Sequence, residues 1–291
     1  MILKNKIFLS ILAGIIPSVI TLGYKIFGPV IFFFSYFTPL PFFFISLKYS
    51  LSNLIISIAV SITIIAFFSS ITTTVLFFII NIMPAILISI EKRNKVKFNY
   101  GNIIAKITLI KSILFLLIST FYFKNLSEFS LNFYNNLINL TQNNISIDQN
   151  TIDLIPAIII SSWIIILFIN LIIAKNIILK YEKNTIYNNK IINITIPKWL
   201  CLLFLILIAP ITILQFNLYW LNSLALIISI PITIQGLTVM HSILKNINMG
   251  NILLYSFYGI IFFIPLSIAF ITALGVLENF YNFRKLKNKK Y

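Results

Sequence analysis

The stretch Leu51–Phe68, with the sequence LSNLIISIAVSITIIAFF, decides the fold class of this chain. It carries no charged residue. As a helix rising 1.5 Å per residue it covers about 27 Å, close to the roughly 30 Å of bilayer hydrocarbon. Eight further apolar runs of comparable length fill most of the remaining sequence. They are approximately Ile7–Tyr24, Ile26–Leu47, Thr72–Ile90, Ile103–Phe123, Ile152–Ala174, Trp199–Leu214, Trp220–Met240 and Ile252–Leu277.

The composition predicts lipid, rather than water, as the solvent for these runs. Of the 291 residues, 59% are hydrophobic and 10% are charged. An ordinary soluble domain has about 25% charged residues. We therefore expect an all-α protein, a polytopic transmembrane helical bundle with eight or nine spans. It should form a single integral membrane domain over residues 1–291, and its first expected partner is the lipid bilayer.

The charges are strongly unbalanced, with 22 Lys and Arg against 6 Asp and Glu. In multi-pass proteins such an excess collects in cytoplasmic loops. No basic stretch belongs to a foldable soluble module, so nucleic-acid binding is not expected. The frequent use of Ile, Asn, Lys and Phe is typical of AT-rich coding, and we expect the inner membrane of a bacterium.

Two lysine-rich loops predict the orientation of the chain. Residues 91–97 carry four positive charges and residues 175–198 carry five lysines, so we expect both in the cytoplasm together with the amino terminus. Residues 124–150 are polar and poor in lysine, which fits the outer face, and they could form a short helix lying on the membrane surface. The basic tail, residues 278–291, conflicts with nine spans, because an odd number would leave it outside. The count therefore stays at eight or nine.

Prolines and short connections predict two local features. Pro29, Pro39 and Pro41 fall within the second run. Because proline removes a backbone donor and kinks helices, we expect a broken or short helix there. Only residues 69–71 separate the third run from the fourth, which predicts a tight antiparallel helical hairpin.

The usual chemical motifs are absent from the sequence. There is a single cysteine, Cys201, and a single histidine, His241, so neither a disulfide framework nor a multi-histidine metal site is expected. No glycine loop suits a phosphate, no span holds an acidic pair, and no nucleophile has a nearby base. We therefore expect no enzyme activity, no catalytic residue, no cofactor and no metal.

Four polar residues inside the apolar runs form a candidate intramembrane polar site: Lys111, Asn170, Gln235 and His241. Ionisable groups at membrane depth are costly and are candidates for function. Lys111 lies about 12 Å along its helix from Ile103, where it either extends to the interface or contributes to a pocket for an anionic substrate. Asn170 is expected to hydrogen-bond between helices. Gln235 and His241 belong to a polar stripe, in which His241 is either a hydrogen-bonded interfacial residue or a ligand.

Three short motifs resemble a known family. They are Tyr36–Pro41 (YFTPLP), Gln235–His241 (QGLTVMH) and Leu274–Arg284 (LGVLENFYNFR). With them the chain resembles the YybS-like family of uncharacterised bacterial multi-pass membrane proteins. That family is similar in its first half to the substrate-binding S components of energy-coupling-factor (ECF) vitamin transporters. The resemblance implies an S-component-like half over residues 1–175, additional spans over residues 197–277, and a membrane coupling subunit as partner. It identifies no ligand residue.

Two function classes follow from these observations. The first is a transport-related solute-binding subunit, suggested by the broken second run and by Lys111. The second is a non-catalytic scaffold or accessory subunit of an envelope complex, suggested by the missing motifs and the dispersed polar residues. The sequence names neither a substrate nor a partner.

Overall fold

The computed structural model describes residues 5–93, 98–141, 149–181, 194–213, 218–245 and 249–284. Throughout these ranges the regular elements are helices, as the apolar runs predict. They are α1 (Lys6–Phe27), α2 (Pro29–Ser35), α3 (Leu40–Lys48), α4 (Leu51–Phe68), α5 (Ile71–Phe77), a π-helical turn (Phe78–Ile82), α6 (Met83–Arg93), α7 (Tyr100–Phe121), α8 (Phe123–Thr141), α9 (Gln149–Asp153), α10 (Ile155–Tyr181), α11 (Lys198–Ile213), α12 (Tyr219–Lys245), α13 (Gly250–Phe263) and α14 (Ser267–Tyr281).

Six of these helical stretches are long and apolar enough to cross a membrane, or seven if α13 and α14 together count as one span. The expected count of eight or nine is not confirmed over the described ranges. The second apolar run is divided between two short helices, and α11 is a shorter apolar helix of 16 residues. The last run bends by 119° between α13 and α14. Hydropathy alone does not register such breaks, because the broken segments stay apolar.

The second apolar run is broken, as its prolines predict. Helix α1 continues to Phe27, and Gly28 then adopts a φ of 59°, a conformation that glycine reaches without steric cost. Pro29 opens α2 and Pro41 stands in the first turn of α3, where a missing backbone N–H removes no helical hydrogen bond. Both short helices of the broken run therefore carry a proline in their first turn.

The chain divides into two compact units, Met1–Asn99 with Ile166–Asn189, and Tyr100–Ile165 with Lys190–Tyr291. In the first unit, α4 contacts α5 across the short turn at residues 69–70, but its most extensive contact is with α1. Small residues spaced four apart carry that contact: Gly14 and Ser18 on α1, and Ser57 and Ser61 on α4. The Ser18 hydroxyl donates to the carbonyl of Ser61 at 3.4 Å. Small residues let helix backbones approach closely where lipid gives no hydrophobic drive.

Lys92 joins the end of α6 to the end of α3. Its ammonium donates to the carbonyls of Leu47 and Tyr49, at 2.6 and 2.8 Å. A cation at these carbonyls satisfies the last turn of α3 and complements the helix dipole. Lys48 and the beginning of the loop at residues 91–97 therefore lie at the same end of this unit.

In the second unit, α12 and α14 make the most extensive contact. Gly236 lies directly against the carbonyl of Ile271, and Gly275 lies directly against the carbonyl of Ile232. The hydroxyls of Thr233 and Thr272 meet at 2.7 Å in the same crossing. Such close backbone approach permits weak Cα–H···O contacts in addition to side-chain packing.

The bent pair α13–α14 returns to the end of α12 from which it starts. Gly250, at the beginning of α13, lies against the carbonyls of Leu244 and Lys245. After the end of α14, the Arg284 guanidinium reaches the carbonyl of Ile194 and the hydroxyl of Thr238. The tail therefore starts at the same end as residues 194–197. The side of the membrane on which the tail lies stays a prediction.

Several sequence predictions concern residues that the structure describes only in part. Residues 94–97 and 182–193 of the two basic loops, residues 142–148 of the outer segment and residues 285–291 of the tail lie outside the described ranges. Within the outer segment, a helix is present as α8, with Phe129, Phe133 and Leu137 exposed along one face. Its placement on a membrane surface stays a prediction. Helix α14 runs to Tyr281, so the first residues assigned to the basic tail are helical.

Candidate functional site

Lys111 lies at the middle of α7, eleven residues after Tyr100 and ten before Phe121. Only 9% of its surface is exposed. A charged side chain at the centre of a membrane helix costs about 2.5–3.5 kcal/mol on insertion scales. A lysine that extends to the interface would run along the outside of the protein, whereas this one is buried. Its burial differs from the interfacial interpretation, and the pocket interpretation of Lys111 stays a prediction.

Two contacts show that α7 and α12 pack in opposite directions. At one end, Phe115 of α7 and Tyr219 of α12 have ring centroids 6.0 Å apart. At the other end, Gly101 of α7 lies against the carbonyl of Thr195, and Gln235 of α12 accepts a hydrogen bond from the neighbouring amide of residue 196. The start of α7 therefore meets the later part of α12, and the two helices are antiparallel.

This register brings buried hydroxyl groups to the level of Lys111. Ser223 lies one turn after Tyr219, and Lys111 lies one turn before Phe115, so both are about 6 Å from the ring contact along their helices. Thr108 and Ser112 share the buried face of α7 with Lys111.

Those three hydroxyls are unusual in their surroundings. Thr108 and Ser223 are 0% exposed and Ser112 is 3% exposed. Within the described part of the chain, none of the three hydroxyl oxygens has a hydrogen-bond partner. Each buried, unsatisfied hydroxyl costs about 1–3 kcal/mol. A bound anion or water that accepts from them would recover that energy.

Asn170 is buried in α10 and is held by two carbonyl groups. Its side-chain amide donates to the carbonyl of Tyr36 at 2.8 Å and to that of Ile166 at 2.9 Å. Because both partners are acceptors, the amide nitrogen must face them, and the Asn170 Oδ1 points elsewhere without a partner among the described residues. Asn170 thereby satisfies a backbone carbonyl in the break of the second apolar run.

Gln235 is fully buried and connects three segments of the second unit. Its Oε1 accepts from the amide of Ile196, and its Nε2 donates to the carbonyl of Gly275 at 2.7 Å. Both functional atoms of the side chain are therefore used within the fold. Gln235 attaches the extended residues 194–197 to the crossing of α12 and α14.

Arg284 makes a second attachment to residues 194–197. Its Nη2 donates to the carbonyl of Ile194 at 2.9 Å, and its Nε lies 3.1 Å from Glu278 Oε1. Burial lowers the pKa of the Arg284 guanidinium from its ordinary value, and the Glu278 carboxylate beside it opposes this shift. The sequence placed Arg284 in the basic tail, but its side chain is 12% exposed and belongs to the folded unit.

His241 lies near the end of α12 and faces α13. Its Nδ1 is 2.9 Å from the hydroxyl of Tyr258, and either atom can be the donor, depending on the tautomer. The histidine is half-buried. This geometry corresponds to the hydrogen-bonded interpretation of His241. Over the described residues, no group of three or more His, Cys, Asp or Glu side chains could hold a metal ion.

An open apolar groove of about 600 Å³ runs between α11, α12 and α14. Its walls include Phe204 and Ile208 of α11, Ala225 of α12, and Ala269, Ala273 and Leu277 of α14. None of the four candidate polar residues lines it. The groove is therefore distinct from the buried hydroxyls near Lys111.

The four candidate residues take separate roles. Asn170 belongs to the first unit, and the other three belong to the second. Within the second unit, Gln235 and His241 use their polar atoms in contacts with different segments. The buried hydroxyls beside Lys111, on Thr108, Ser112 and Ser223, were not expected from the sequence. The available signal was the position of Thr108, three residues before Lys111 and four before Ser112, because residues three or four apart share a helix face.

The model of the family described as "Predicted membrane protein (DUF2232)" matches residues 15–278. This match covers most of the chain, and the chain belongs to that family. The comparisons with curated proteins and with solved structures gave no match. The family membership agrees with the coarse expectation of a membrane protein family. The finer resemblance to YybS-like proteins and S components remains a prediction.

Proposed function

We propose that this member of the DUF2232 family binds a small anionic solute inside the membrane, as a transport-related subunit resembling an ECF S component. Lys111 supplies the positive charge, and Thr108, Ser112 and Ser223 supply hydroxyl donors. The chain acts by binding rather than by catalysis. Its expected location is a bacterial inner membrane with the amino terminus in the cytoplasm, as its lysine-rich loops predict.

One observation carries this proposal: a buried ammonium and three unsatisfied buried hydroxyls of the described chain occur at one level of the α7–α12 pair. Each of the three hydroxyls costs free energy when it is buried without a hydrogen-bond partner, so an acceptor bound there would be favourable. Several hydrogen-bond donors that lie close together in the protein interior suit a carboxylate or a phosphate, because each of these anions accepts several hydrogen bonds.

The direct test is the thermal stability of the purified, detergent-solubilised protein with acetate, inorganic phosphate and a panel of small carboxylates. A solute that binds only the folded state raises the unfolding temperature as its concentration rises. Wild-type protein should respond to at least one of these anions. Lys111→Met should lose the response, and Lys111→Arg should keep part of it.

Two controls separate binding from stability. Lys180→Met removes an exposed lysine from the last turn of α10 and should leave the anion response unchanged. Because Lys111→Met also removes a buried charge, the unfolding temperature of each variant without ligand is measured first, and the anion response is taken relative to that value. An anion response that survives Lys111→Met would refute the proposed site.

A specific observation favours the scaffold as a second candidate function. Asn170, Gln235 and His241 make hydrogen bonds within the chain, so three of the four polar candidates serve packing. A scaffold predicts no anion response, together with a stable partner recovered by crosslinking in native membranes. A solute-binding subunit predicts the anion response whether or not a coupling partner is present.

A further inference from the structure

The groove between α11, α12 and α14 is lined by apolar side chains and by two hydroxyl groups. Among these described lining residues, both hydroxyls already have hydrogen-bond partners, so neither is left to bind a ligand. Its two hydroxyl residues are Ser229 and Thr272. The Ser229 hydroxyl donates to the carbonyl of Leu226 at 2.7 Å. The Thr272 hydroxyl bonds to the carbonyl of Ile268 at 2.8 Å and to the hydroxyl of Thr233. A polar solute would lose its hydration there without replacement, so the groove suits a hydrocarbon occupant.

The length of the groove suits an extended hydrocarbon chain. Along α14 its lining extends from Ile268 to Leu277, about 14 Å at 1.5 Å per residue. Its volume of about 600 Å³ leaves room for an acyl chain of that length.

One end of the groove lies next to a basic residue. The side chain of Asn279, just beyond Leu277 on α14, donates to the sulfur of Cys201 in the first turn of α11. Lys198 begins α11 one turn earlier and is exposed. The groove therefore ends within about two helical turns of an exposed ammonium that can meet a phosphate, on a chain with a net charge of +16.

We propose that this groove is a binding site for a membrane phospholipid. One acyl chain lies along Ala269 and Ala273 of α14, and the phosphate lies beside Lys198. The site is separate from the Lys111 region and does not depend on the solute-binding proposal. Both α14 alanines are exposed and line the groove, so larger side chains there fill it without entering the α12–α14 crossing.

The test is native mass spectrometry of delipidated protein titrated with palmitoyl-oleoyl phosphatidylglycerol and, separately, with the corresponding diacylglycerol. Ala269→Phe with Ala273→Phe should weaken the binding of both lipids by at least tenfold. Lys198→Gln should weaken only the binding of phosphatidylglycerol, because diacylglycerol lacks the phosphate. The matched control is Ala66→Phe, at an exposed position of α4, which should bind both lipids as the wild type does.

Two outcomes would overturn the site. One is equal lipid binding by the double variant and the Ala66→Phe control. The other is a wild-type dimer that becomes a monomer in the double variant while lipid binding is unchanged. That result would make the groove a surface for self-association. If the double variant does not fold, Ala273→Cys in a Cys201→Ser background fills the groove by alkylation after purification. Lys111→Met should leave lipid binding intact.

Discussion

Gly236 and Gly275 occupy reciprocal positions in the α12–α14 crossing, each against the carbonyl of the isoleucine four residues before the other. Ile232 and Gly236 lie one turn apart on α12, and Ile271 and Gly275 lie one turn apart on α14. A Cβ atom at either glycine would overlap a backbone oxygen, which cannot rotate away as a flexible side chain can. The crossing distance of the two helices therefore depends on both glycines.

We expect Gly236→Ala and Gly275→Ala each to destabilise the protein by about 1–3 kcal/mol, since the helices must move apart. Gly259→Ala is the matched control, because no described residue would lie within 4 Å of a Cβ atom at that position. In the helix α13, that change should be neutral or stabilising by up to about 1 kcal/mol. The measurement is thermal unfolding in detergent. Equal stability of Gly236→Ala and Gly259→Ala would contradict the crossing geometry.

Removing the unsatisfied hydroxyls near Lys111 should stabilise the protein without ligand. Thr108→Val and Ser223→Ala keep the shape of the side chain approximately and delete a buried oxygen that has no partner within the described chain. Each should raise the free energy of unfolding by about 1 kcal/mol. The comparison is Thr63→Val, at an exposed hydroxyl bonded to its own helix, which should change little. Destabilisation by both core variants would show that these hydroxyls are already satisfied.

The Glu278–Arg284 pair should show strong thermodynamic coupling. Glu278→Ala or Arg284→Ala alone leaves one buried charge without its main opposite charge, which typically costs about 3–5 kcal/mol. The double variant should be less destabilised than the sum of the two single variants, with a coupling of about 1–3 kcal/mol. A double-mutant cycle on unfolding free energies measures this directly. Additive effects would mean that the 3.1 Å contact contributes nothing to stability.

Asn170 should matter more to stability than a neighbouring asparagine of the same helix. Asn170→Leu leaves the carbonyl of Tyr36 without the amide that donates to it, at a cost of about 1–3 kcal/mol. Asn176→Leu changes an exposed position of α10 and should be neutral in a lipid-like environment. Thermal unfolding in lipid nanodiscs compares the two variants. If Asn176→Leu proves as harmful as Asn170→Leu, the hydrogen bond to Tyr36 is unimportant.

The return of the α13–α14 pair predicts which residues share a side of the membrane. In a Cys201→Ser background, Thr195→Cys and Asn282→Cys should react with a membrane-impermeant maleimide from the same side. Leu218→Cys, at the opposite end of α12, should react from the other side. All three positions are exposed. Labelling of Thr195→Cys and Asn282→Cys from opposite sides would exclude the return.

Helix boundaries could be predicted closely for α4, whereas α10 extends to Tyr181, seven residues beyond the predicted run Ile152–Ala174. Helix α4 matches the predicted run Leu51–Phe68, because the polar residues at both ends coincide with real ends. The last apolar run was predicted as one straight span, but it bends at residues 264–266. Those residues are also apolar, and hydropathy indicates that a segment prefers lipid without indicating the direction in which its helix runs. Because hydropathy does not show where an apolar run bends or breaks, the expected count of eight or nine spans exceeds the six or seven found among the described residues.

The candidate site could be predicted only in part. Lys111 stands out in an apolar run because charge is rare at membrane depth. Ser223 does not stand out, since serine is common in membrane helices and becomes informative only when a neighbouring helix fails to satisfy it. Arg284 was assigned to the tail because most of the residues that follow it are polar or basic, whereas its ion pair depends on the fold.

The hydrogen bond between Asn170 and Tyr36 joins residues 134 positions apart. When the ribosome has delivered the broken second run to the bilayer, the partner of its Tyr36 carbonyl has not yet been synthesised. The native contacts of the broken second run are therefore completed only after α10 has been made, because α10 supplies the amide that donates to this carbonyl.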